Sequence, residues 1–220
     1  MKKPIRNSWI LLSLSILTVY GVFCFLLPTE GEGGVHEFIG MPRHVEYGSG
    51  LSENIGPFLF LLCGVLCPLE KLTEYLLQRN SLVYIRRRND ASRVWRYLLL
   101  TMTYCAVYTG IQVGVTVLNN EYISIPTLLY GATYAFLLLL CSLLTVTLSI
   151  MLSQRALGYG CVIFFATCIA ALEPLRSFLT KSISAVPLWA AVFLFGAVML
   201  SLLTAFIFNR IEIIQEDSCI

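Results

Sequence analysis

The chain has 220 residues, 57% hydrophobic and 13% charged, with a formal net charge of +2 and a mean hydropathy of +0.78. Soluble domains of this size carry roughly 25% charged residues, so the composition excludes an ordinary water-soluble core and predicts an integral membrane protein. The net charge says little by itself, and no nucleic-acid partner is expected.

Six apolar runs follow in chain order: 9–27, 51–69, 97–118, 127–152, 157–172 and 187–208. A helix needs about 20 apolar residues to cross a hydrocarbon core about 30 Å thick. The first, third, fourth and sixth runs meet that length. The second carries Glu53, Asn54 and Pro57 near its start, which shortens its spanning part. The fifth is short and is ended by Glu173–Pro174. None shows the alternation that a barrel strand requires. The expectation is an all-α integral membrane fold, one domain over residues 1–220, with six transmembrane helices. The first run resembles a signal peptide, but its apolar core is longer than the usual run of about 7–15 residues. No small-residue cleavage site follows, so it is read as an uncleaved helix.

Lysine and arginine in short loops set orientation. With the N-terminus inside, twelve of these residues fall in cytoplasmic segments, and only Arg43, Arg176 and Lys181 fall outside. Both termini are therefore expected in the cytoplasm. The first outer loop, 28–50, is glycine-rich and holds both histidines. His36, Glu37 and His44 lack the one-turn spacing of a zinc-binding His-Glu-x-x-His, so a solvated loop is expected and no metal. Seven of the eight cysteines fall in apolar runs, where they act as small apolar residues. Cys63 and Cys67 share a helix face, but no second ligand pair accompanies them. The terminal Asp-Ser-Cys-Ile is not a prenylation box.

The segment 70–96 concentrates Arg86, Arg87, Arg88, Arg93 and Arg96. A loop serving orientation alone needs far fewer residues. Leu72, Tyr75 and Leu76 have helical spacing and are followed by the apolar Leu82–Ile85. The second helix is thus expected to continue into the cytoplasm, with a short arginine-bearing element after it. Asp90 or Ser92 would then cap the third helix. Apolar and cationic side chains offered together suit a protein partner better than an anionic lipid layer alone. Runs one, three, four and six contain no Asp, Glu, Lys, Arg or His in their central spans. Ion-driven transporters keep such groups at membrane depth, and intramembrane hydrolases need a positioned acid, base or metal ligand. No phosphate-binding loop occurs. These features point away from an enzyme and towards a transport subunit driven by a separate ATPase, which would hold the ATP and Mg. This chain needs no cofactor of its own.

Helices in this number and chain length, with "LVYIRRRNDASRVWRYLLL" leading into the third, resemble the permease subunits of exporter-type ABC transporters. The similarity is to the bacterial bacteriocin or antibiotic efflux and immunity kind. The resemblance implies that the 70–96 segment couples to an ABC ATPase, and Glu70, Glu74, Arg86, Arg87, Arg88 and Arg93 are expected at that interface. "ALEPLRSFLTKSISAVPLW" resembles the family's broken hairpin between a short fifth helix and the sixth. Glu173, Pro174 and Arg176 are expected there as an outer gate. One chain of six helices does not easily enclose a path for a large cargo, so a second permease chain, identical or related, is expected. Gly110 and Gly114, one turn apart, would allow close helix approach, either to that chain or within this one. An additional subunit at the 28–50 loop, surrounding membrane lipid and a bacterial plasma-membrane location complete the expectation. The cargo would be an amphipathic peptide, antibiotic or lipid-like molecule. Two rival readings are the substrate-binding membrane subunit of a vitamin importer and a membrane-embedded peptide-processing enzyme.

Overall fold

The computed structural model describes residues 55–66, 68, 72–73, 76, 91–119, 125–172, 174 and 186–217. They form helices α1 (Ile55–Leu66), α2 (Ala91–Asn119), α3 (Ile125–Met151), α4 (Arg155–Ala171) and α5 (Val186–Asp217). The expected six transmembrane helices are corrected by this arrangement. Among the described residues there are five helices, and three are long and apolar enough to cross a membrane: Ser92–Leu118, Leu128–Met151 and Trp189–Phe208. The run 9–27 lies outside the described residues, as does the loop 28–50.

The reason for the shortfall is geometric. Helix α1 has 12 residues and α4 has 17. At 1.5 Å per residue they extend about 18 and 25 Å, short of a hydrocarbon core of about 30 Å. In α1, Pro57 sits in the first turn, where its missing N–H costs no hydrogen bond. Pro68 follows the last turn and stops the helix at Leu66. Helix α4 ends at Ala171, where Leu172 turns to extended backbone with φ −86° and ψ 108°. The placement of both termini on one side rested on an even number of crossings and falls with the count. Glu173, Arg176 and the hairpin expected after them lie outside the described residues, and Pro174 is exposed.

Helix α3 packs against each of the other four helices, and most of its length is buried. The directions follow from residue pairs. Tyr104 and Tyr108 of α2 donate to the Gly64 and Phe60 carbonyls of α1, so these helices are antiparallel. Tyr97, near the start of α2, meets Thr147, near the end of α3, so α2 and α3 are antiparallel as well. The rings of Tyr130 and Tyr134 meet Trp189, Tyr134 also meets Phe193, and the Cys141 thiol reaches the Phe193 carbonyl. These contacts advance together along both chains, so α3 and α5 are parallel. The ends of α1, α3 and α5 and the starts of α2 and α4 therefore share one side.

Helix α3 stops in a tight turn. Ser153 has φ 61°, Gln154 N–H donates to Ser149 O at 2.8 Å, and Ser153 N–H donates to Ile150 O at 3.0 Å. This pair of bonds around a left-handed residue is a Schellman motif, here with serine where glycine carries no steric penalty. Ser153→Gly is expected to raise stability by about 1 kcal/mol, measured by thermal unfolding in detergent. A lowered midpoint would contradict that reading.

Candidate functional site

Apart from the Gln112 amide, the buried polar side chains among the described residues are hydroxyls. Most donate to the carbonyl one turn back in their own helix: Thr101 to Tyr97, Thr109 to Cys105, Thr116 to Gln112, Ser142 to Leu138 and Thr204 to Leu200. Lipid supplies no partners, so a Ser or Thr in a span satisfies itself in this way. The three spans contain no Asp, Glu or His.

One hydroxyl group binds helices together. Thr147 donates to Leu143 O at 2.9 Å. Its single proton is thereby used, so Tyr97 is the donor in the 2.6 Å contact with Thr147 Oγ1. Thr73 lies 3.4 Å from the same oxygen. A fully buried cluster thus joins the chain beyond α1, the start of α2 and the end of α3. In the sequence, Thr73 and Tyr97 flank the stretch that carries Arg86, Arg87 and Arg88. Leu76, read from its helical spacing as part of a cytoplasmic continuation of the second helix, is 1% exposed and belongs to the chain's own core.

A second seam follows from Pro68. The Gly64 carbonyl would ordinarily accept from the N–H four residues on, and Pro68 has none. Tyr104 supplies the missing donor at 2.8 Å. Tyr108 adds a bond of 3.0 Å to Phe60 O and packs its ring on Phe60. Gly64 makes room for this ring and for α3, since a Cβ there would lie 3.0 Å from Tyr108 Cε1 and 2.7 Å from Leu139 Cδ1. At the opposite end, Tyr130, Tyr134, Trp189 and Phe193 join α3 to α5 through edge-to-face contacts. The Tyr134 hydroxyl is buried there without a hydrogen-bond partner. An unsatisfied buried hydroxyl costs about 1–3 kcal/mol, so Tyr134→Phe is expected to hold or raise the unfolding midpoint. A clear drop would show that the hydroxyl is bonded in the membrane.

Of the residues expected at an ATPase interface, Glu70, Glu74, Arg86, Arg87 and Arg88 lie outside the described residues. Arg93 is half-buried and engaged in the first turn of α2. Asp90 is likewise not described, while Ser92 lies inside α2 rather than capping it. Gly110 and Gly114 lie on the exposed face of α2, with nothing within 4 Å of an added Cβ. Cys105 is fully buried, Cys63, Cys141 and Cys168 are half-buried, and Cys161 is exposed. No metal-binding group of His, Cys, Asp and Glu occurs among the described residues. The Thr147 cluster and the Tyr104–Gly64 bond were not foreseen. Pro68, four residues after Gly64, was the one available signal.

The long apolar helices and the belt of exposed Leu, Phe, Val and Met on α2, α4 and α5 define an all-α, multi-pass integral membrane protein. No family model, curated protein or solved structure matches the chain.

Proposed function

We propose that this chain is the membrane-embedded subunit of an ATP-driven transporter, which moves an amphipathic peptide, antibiotic or lipid-like cargo with energy from a separate ATPase. The observation that carries the reading is the position of the Thr147 cluster. The arginine-bearing segment runs into α2, and within two turns α2 is tied through Tyr97 to α3, the helix that contacts all the others. A displacement of the segment 70–96 is thus delivered to the centre of the bundle.

Charge supports the same end as the cytosolic one. Lys71, Arg79, Arg86, Arg87, Arg88, Arg93, Arg96, Arg155 and Arg210 belong to segments at that end. The stretches assigned to the other end, 28–54 before α1 and the connections 120–124 and 172–185, hold only Arg43, Arg176 and Lys181. Such an asymmetry favours the arginine-bearing side facing the cytosol. A second membrane chain, identical or related, belongs to the proposal. The exposed stripe of α2 around Gly110 and Gly114 offers it close approach.

The test is reconstitution with a candidate ATPase. Hydrolysis is expected to depend on this chain. The pair Arg86→Glu and Arg88→Glu is expected to reduce it about tenfold or more, because like charges would face each other across the interface. Full activity in the doubly reversed protein would place the coupling elsewhere.

A further inference from the structure

We infer that Trp95 and Arg96 form a binding site for the headgroup of an anionic phospholipid. The inference does not depend on the transport reading. Helix α2 offers a span of 27 residues, Ser92–Leu118, about 40 Å long. That exceeds the hydrocarbon thickness of about 30 Å, so its first residues fall in the headgroup layer. Trp95 is 70% exposed there, although the neighbouring Val94 and Tyr97 are buried on the opposite face. An exposed tryptophan one turn into a span is placed where indole prefers to lie, at the boundary of acyl chain and headgroup.

Arg96 is the next residue and is exposed. Among the described residues it makes no hydrogen bond or ion pair, unlike Arg93 and Arg155, which are engaged. A guanidinium at this depth needs a counter-charge, and its fork of donors matches phosphate oxygens. Below the pair, Leu99, Leu100, Met102 and Val107 continue the exposed face towards the bilayer centre, as an acyl chain would require. Headgroup, boundary and chain contacts thus fall in the order of a single phospholipid. The Coulomb attraction selects one with net negative charge.

The experiment uses the full chain in a Trp9→Phe background, reconstituted in mixed vesicles. Trp189 is buried, so Trp95 reports lipid contact. Fluorescence quenching is compared for phosphatidylglycerol and phosphatidylcholine carrying brominated acyl chains, at equal mole fraction. The anionic lipid is expected to associate about fivefold more strongly, the ratio one cation near the headgroup layer supplies. Arg96→Gln removes most of that preference while quenching by both lipids persists, and Arg96→Lys keeps part of it. Equal quenching in the unaltered protein, or an unchanged preference in Arg96→Gln, would overturn the site. Inorganic phosphate added at constant ionic strength is expected to leave the ratio unchanged. If it abolishes the ratio, the site is one for the free anion and the lipid assignment fails. ATP hydrolysis is not read in this assay, so its failure is separable from failure of the transport reading.

Discussion

Thr147→Val is expected to lower the stability of the bundle by about 2 kcal/mol. Valine keeps the shape but removes the oxygen that Tyr97 donates to at 2.6 Å and Thr73 approaches at 3.4 Å. Both hydroxyls then remain buried, with the phenol of Tyr97 lacking the acceptor it has now. The loss of the bond alone is small in a membrane, averaging about 0.6 kcal/mol, and the larger part comes from the abandoned phenol. The double variant Tyr97→Phe/Thr147→Val removes both partners and is therefore expected to be more stable than the sum of the two single losses predicts. Equilibrium unfolding in mixed micelles measures all four proteins of the cycle. Strict additivity would mean that the contact contributes nothing.

Gly158→Ala is expected to cost about 2–3 kcal/mol. Helix α4 turns back on α3 immediately after Gln154, and Gly158 lies against Ser149 and Val146 of α3. An added Cβ would collide with Ser149 Oγ, lie 2.6 Å from Ser149 Cβ and lie 3.3 Å from Val146 Cα. Ser149 Oγ can rotate, but Ser149 Cβ and Val146 Cα are fixed by the α3 backbone and cannot swing aside, so the helices must separate and lose packing along the seam. Ser149→Gly in the same chain removes the first two contacts. It leaves the ordinary penalty of about 1 kcal/mol for a glycine inside a helix, so the double variant should recover part of the loss. Thermal unfolding in detergent reads this directly. An unchanged midpoint for Gly158→Ala would show that the crossing is looser than described.

The helices themselves were legible in the sequence, because long apolar runs have little alternative in lipid. The run 127–152 is helix α3 at Ile125–Met151, and the run 157–172 is α4 at Arg155–Ala171. The sixth run continues as helix through Asp217, since residues 209–217 contain no proline or glycine to stop it. The number of crossings was not legible, because hydropathy averages over a proline. Pro57, which looked disruptive, is harmless in a first turn, and Pro68 shortens α1. The packing was not legible either. Gly110 and Gly114 have a suggestive spacing but face open space. Gly64 and Gly158, with no pattern around them, sit at helix contacts. Spacing defines a face of a helix without saying which neighbour that face meets. The arginine segment drew attention by its charge, yet the Thr147 cluster is made of residues common in any span.

The transport proposal, the charge asymmetry and the Thr147 connection all require one arrangement: the ends of α1, α3 and α5 share a side with the starts of α2 and α4. Single cysteines at Arg88, Gln154 and Glu121, in a background lacking the native cysteines, test it with a membrane-impermeant thiol reagent. Positions 88 and 154 are expected to stay unlabelled in intact cells and to react in inverted vesicles, with position 121 behaving in the opposite way. Labelling of 154 and 121 from the same side would contradict the account.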